Sequence, residues 1–150
     1  MPDLSKEERF GKITDIAFEL LDPQSVFIEK EKFVITDEAG TVNGKALGYI
    51  YGVLDAFSQW ANLDIRDIEG EAALYSLIAR IFPAEVGKVG TYVGYLKSMQ
   101  NEPEIMNGVM LGGTDLANWS RHKTPLTRWP TCFSEELARL AEQRDRKHNV

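Results

Sequence analysis

The stretch Asn43–Trp60, NGKALGYIYGVLDAFSQW, constrains this chain more than any other. Read as a helix, it sets Gly44, Gly48, Gly52 and Ala56 four residues apart, which makes one continuous shallow stripe. Leu47, Tyr49, Ile50, Tyr51, Val53, Leu54, Phe57 and Trp60 flank the stripe with large apolar side chains. A glycine inside a helix costs about 1 kcal/mol against alanine. A row of them is explained if a second helix backbone approaches closely, as small-xxx-small faces allow. The stretch therefore reads as a buried central helix, from about Val42 to Ala61.

Two further segments carry glycines at helical spacing. Gly87, Gly90 and Gly94 lie in Pro83–Gln100, and Gly108 and Gly112, followed by Gly113, lie in Glu104–Ser120. The first is expected to form a helix over 84–100 whose small face meets the central stripe. In the second, Gly112-Gly113 also suits a helix end. Asn43-Gly44-x-x-Leu47-Gly48 recurs as Asn107-Gly108-x-x-Leu111-Gly112, and an Asp and a Trp follow each copy. The match is short and its flanks do not align, so it reads as coincidence rather than as a duplicated helix pair.

The remaining signals are local. Ser5 and Glu8 form a capping box for a helix over 6–21, which Asp22-Pro23 ends. Ile68, Ala72, Tyr75, Ala79 and Phe82 stripe a helix over 68–82. Ser134 caps a last helix, and its end, residues 144–150, is expected to fray. Ser25–Thr36, SVFIEKEKFVIT, differs in character. Its β-rich triplets around a charged tetrad predict a short β hairpin or single strand near residues 25–36. Such an element needs a helix beneath it or a partner strand from another subunit. The fold class that results is mainly α: one domain over 1–150, a compact bundle of five to six helices around the glycine-striped helix, plus the β element.

Charge and cysteine usage narrow the function. A formal charge of −6 argues against nucleic acid and anionic membranes as partners, because phosphate contacts need clustered Lys and Arg. The most apolar run, Ala46–Phe57, is too short for a span, which needs about 20 apolar residues. The N-terminus lacks the apolar core of a signal peptide, so a soluble cytoplasmic protein is expected. Cys132 is the only cysteine, and the two histidines show no metal-ligand spacing, so neither a disulfide, a metal nor a cofactor is expected.

The candidate chemistry is sparse. Asp55 lies inside the most apolar helix beside Tyr51. It is either a ligand-binding carboxylate or part of a polar edge with Ser58 and Gln59. His122, in Trp119-Ser120-Arg121-His122-Lys123, reads as a general base or, more simply, as a surface helix end. Tyr92, Tyr95, Trp119 and Trp129 either line a pocket near Arg121 and Arg128 or belong to the core. An enzyme would bring Asp55, Tyr51, Asp115 and His122 around one cleft.

Ala46–Phe57 resembles a helix of the Tai-type immunity proteins, which neutralise secreted antibacterial toxins, through Gly48, Tyr49, Ile50, Gly52 and Asp55. Ala46 stands where that family has a cysteine. The resemblance covers about one helix and implies that the pattern packs well, not a shared activity. The reading as a whole is a small, non-enzymatic interaction or regulatory protein that binds a protein partner, itself included, as a homodimer. The alternatives are an inhibitor of the immunity type with a basic partner, and a small-molecule or enzymatic site at Asp55 and Tyr51.

Overall fold

The computed structural model describes residues 4–98 and 100–148, part of the last helix by its backbone alone. Six α-helices are found among these residues: α1 (Lys6–Leu21), α2 (Gly44–Trp60), α3 (Ile68–Ile81), α4 (Val89–Ser98), α5 (Pro103–His122) and α6 (Glu135–His148). Asn149 and Val150, at the end expected to fray, lie outside the described residues.

The helix starts follow their caps. The Ser5 hydroxyl accepts the Glu8 backbone N–H at 3.1 Å and donates to the Glu8 carboxylate at 3.2 Å. α1 thus begins at the S-x-x-E signal and buries Phe10, Ile13, Ala17 and Leu21, one face at helical spacing, largely against α3. Asn43 caps α2 by accepting the Ala46 N–H at 3.0 Å. Its amide donates to the Cys132 carbonyl at 2.9 Å, which ties the helix start to the distant 130–133 turn.

The α2 stripe is a helix–helix seam, and α5 is its partner. A Cβ at Gly48 would stand 2.3 Å from the Ile105 carbonyl oxygen, and one at Gly52 would stand 2.2 Å from that of Val109. In return, a Cβ at Gly108 would meet the Lys45 carbonyl at 2.1 Å, and one at Gly112 that of Tyr49 at 2.3 Å. Both sets of contacts rise together along the two helices, so α2 and α5 run parallel. The arrangement has a local two-fold character, pairing Gly48 with Gly108 and Gly52 with Gly112. It is one helical turn out of step with the sequence repeat, which aligns Gly44 with Gly108.

Two expectations are corrected. The Gly87/Gly90/Gly94 segment does not face the stripe: a Cβ at Gly87 or Gly94 meets nothing within 4 Å, and one at Gly90 only the Tyr75 ring at 4.0 Å. Pro83–Lys88 forms a 3₁₀ turn, so α4 starts at Val89 rather than at 84. The β element near 25–36 is also absent. Pro23–Phe27 and Lys30–Lys32 are 3₁₀ turns, and the described residues hold only an isolated antiparallel bridge between Thr36 and Val42. Beyond that bridge, the N–H groups of Ile35 and Thr36 are satisfied by a side chain. The Glu85 carboxylate accepts both backbone N–H groups, at 3.0 and 3.3 Å, and the Tyr92 hydroxyl at 2.7 Å.

Ile28 and Ile35 of this region are buried, and Phe33 packs against Trp129, which is fully buried. Phe33, Phe82, Phe133 and Tyr49 surround its ring at centroid distances of 4.9 to 6.4 Å. Each such side chain contributes about 1.5–3 kcal/mol by burial.

Gly48→Ala or Gly112→Ala is expected to destabilise by about 3 kcal/mol or more, because the added methyl meets rigid backbone. Gly94→Ala, exposed in mid-helix, is expected to stabilise by about 0.5–1 kcal/mol. Urea unfolding of the three variants checks the order; equal stabilities for Gly48→Ala and Gly94→Ala would contradict the seam.

Candidate functional site

The seam brings one buried polar cluster together. Tyr49, fully buried on α2, donates its hydroxyl to Asp115 on α5 at 2.5 Å. The other Asp115 oxygen takes Arg128 Nε at 3.0 Å, and the Arg128 backbone N–H reaches Asp115 at 3.1 Å. Asp115 is 5% exposed. Burial pushes its carboxyl up, against the Tyr49 hydroxyl and the Arg128 charge, which favour the carboxylate. Burial also holds the Tyr49 phenol well above the usual tyrosine range, and the Asp115 charge adds to it. The cluster joins α2, α5 and the 123–133 loop, and it lines none of five surface clefts of about 290 to 700 Å³ among the described residues. It fastens the core and presents no open face to a substrate.

The other sequence candidates are dispersed. Asp55 is half-buried and accepts the Gln59 amide, one turn on, at 3.1 Å. Ser58 is buried and donates to the Leu54 carbonyl, so it does not share a polar edge with them. Trp119 packs edge-on against Phe57, and the Lys123 ammonium lies 4.5 Å from its ring centre. Arg121 and His122 are exposed in the last turn of α5, where cations suit the helix end. Trp129 is core, and its indole donates to Ser25. Among the described residues Asp55 and Asp115 share no hydrogen-bond partner, and none of those five clefts is lined by Asp55, Asp115 or His122.

Tyr51 is the candidate that opens onto space. An open groove of about 700 Å³ runs between it, the end of α4 and the outer face of α5. Ile105, Met106, Val109 and Met110 supply its apolar wall, and Gln100 and Asn107 its polar atoms. Met106 and Met110 are 54% and 66% exposed. A second cleft of about 290 Å³ adjoins it, lined by Arg66, Glu71 and Lys97, with Tyr51 and Gln100 common to both. Partial burial, and then the Asp55 charge, raise the Tyr51 phenol above its ordinary value, while Arg66 opposes the rise. It is therefore a neutral hydroxyl, able to donate, near pH 7. Sequence reasoning found Tyr51 and missed the methionines. The signal was there: two methionines one turn apart, on the side of α5 away from Gly108 and Gly112.

No protein-family model, curated protein or solved structure matches the chain. Among the described residues, no group of three or more His, Cys, Asp and Glu side chains could hold a metal ion. No described helix is long and apolar enough to cross a membrane.

Two outcomes test the buried cluster. Tyr49→Phe leaves Asp115 one hydrogen bond short and is expected to cost about 1–3 kcal/mol. Nearby, burial pushes the Cys132 thiol from its ordinary 9.0 up to about 12. The thiol is expected to resist a maleimide in the folded protein and to react at the rate of unfolding. Between these two pH values the unfolded chain binds fewer protons than the folded one. Stability therefore falls as pH rises, by up to about 1.4 kcal/mol per unit, and Cys132→Ala makes that fall shallower. Fast labelling of the native protein would contradict the burial.

Proposed function

We propose that this chain is a small non-enzymatic binding protein of the regulatory or interaction kind, and that its working surface is the groove beside Tyr51. The observation that carries this reading is the groove itself: about 700 Å³, open, walled by half-exposed methionines, with few polar groups at one end. Small-molecule sites have this character, at roughly 300–1,000 Å³ with a few convergent polar atoms. Methionine suits it because an unbranched, polarizable side chain repacks around varied apolar shapes. The dispersal of Asp55, Asp115 and His122 favours binding over catalysis. The cytoplasmic setting belongs to the same proposal.

Self-association is a second reading with its own observation. Val26 and Phe27 are 77% and 66% exposed. Phe27 and Leu140 edge a further cleft of about 470 Å³ between the first 3₁₀ turn and α6. An apolar patch of this kind is a site of contact between chains. Sedimentation of the wild type and Phe27→Asp tests it, and a monomer in both would count against the homodimer.

For the groove, the native protein is expected to bind the uncharged probe Nile red saturably, with a blue-shifted emission. Met110→Asp should lose most of that signal while changing stability by less than about 0.5 kcal/mol, since Met110 is exposed. Undiminished Nile red binding by Met110→Asp would overturn the groove reading.

A further inference from the structure

Resting on that groove reading, we propose that the ligand is an uncharged molecule, an apolar chain that ends in a carbonyl group. Its chain lies along Met106 and Met110, and its carbonyl oxygen accepts the Tyr51 hydroxyl. The lining of the groove selects it. Six of the nine lining residues are apolar, the other three, Tyr51, Gln100 and Asn107, are neutral, and none is charged. That is a marked local absence in a chain of which 27% is charged. Charged neighbours along the chain turn elsewhere. Lys97, which follows Leu96, donates to Glu71 on α3 at 3.1 Å. The Glu104 carboxylate, between Pro103 and Ile105, lies 3.7 Å from where a Gly44 Cβ would stand on α2. An ionised group laid on this wall would give up water and find no counter-charge.

The charges felt at Tyr51 favour neither sign. Burial does most to raise its phenol; of the charges around it, Asp55 and Asp64 add to the rise and Arg66 opposes it. Arg66 is itself paired with Asp64 at 3.0 Å, and Asp55 holds the Gln59 amide at 3.1 Å. An anion at the phenol would be repelled by Asp55, and a cation by Arg66. The hydrogen-bonding pattern then fixes the end group. Gln100 acts on the phenol as a donor to its oxygen, which leaves the phenol's own hydrogen for a ligand. A carbonyl oxygen has two lone pairs, so it takes this hydrogen together with one from an amide on the same wall. A wholly apolar ligand would cover these groups without pairing them, at a cost in desolvation.

Isothermal titration at pH 7 with octanamide, octanoate and octylammonium, three heads on one chain length, separates the claims. The wild type is expected to bind octanamide saturably and at least about tenfold more tightly than either ion. Tyr51→Phe keeps the ring and removes the donor, and should bring octanamide down towards the ions; Met110→Asp should weaken octanamide as well. Equal binding of the three by the wild type, or a preference for either ion, would overturn the uncharged class and leave the groove standing. So would a wild type that binds Nile red and no octanamide. An octanamide preference undiminished in Tyr51→Phe would overturn the placement of the carbonyl. Failure of all three and of Nile red to bind would overturn the groove itself.

Discussion

The close approach of α2 and α5 is the constraint on which the rest of the molecule depends. Four glycines set backbone against backbone, and at each the position of a Cβ is occupied by a carbonyl oxygen of the facing helix. The glycine Cα–H bonds point at those oxygens, a contact worth about 0.5–1 kcal/mol each. Large side chains are displaced to its flanks. Leu47, Ile50, Val53 and Leu54 are fully buried there. Tyr49 is carried to the one place where its hydroxyl meets Asp115. The buried tyrosine–aspartate–arginine cluster is thus a consequence of the seam, and it locks the 123–133 loop over the helix pair through Arg128.

The same geometry leaves a surface over. α5 gives its glycine face to α2 and its opposite edge, Met106 and Met110, to solvent. α4 stands beside that edge, and the space between them is the groove with Tyr51 on its wall. A rigid, dry core and a soft, open wall come from two faces of one helix. Binding by adaptable methionines on a fixed scaffold follows from that division.

Local signals were legible in the sequence where the physics is local. The Ser5 cap, the Asp22-Pro23 stop and the glycine stripe of α2 all act within one or two turns, and each is found as read. The partner of the stripe was not legible, because Gly87/Gly90/Gly94 and Gly108/Gly112 have the same helical spacing. What separates them is that Pro83–Lys88 spends its first glycine in a 3₁₀ turn. The 25–36 segment carries genuine β propensity. Its earlier backbone bonds, however, close 3₁₀ turns, and the N–H groups of Ile35 and Thr36 go to a carboxylate some fifty residues away in sequence. Asp115 was a visible candidate, but its partners Tyr49 and Arg128 come from other elements, and only the seam brings them together.

The direction of α5 beside α2 is open to a single direct measurement. A Cβ at Gly44 lies 3.6 Å from the Glu104 Cβ, within the range that a disulfide bridges. In a Cys132→Ala background, Gly44→Cys with Glu104→Cys is predicted to cross-link in high yield on mild oxidation of the folded protein, and to raise its melting temperature. A folded protein that keeps both thiols free under those conditions would contradict the parallel seam.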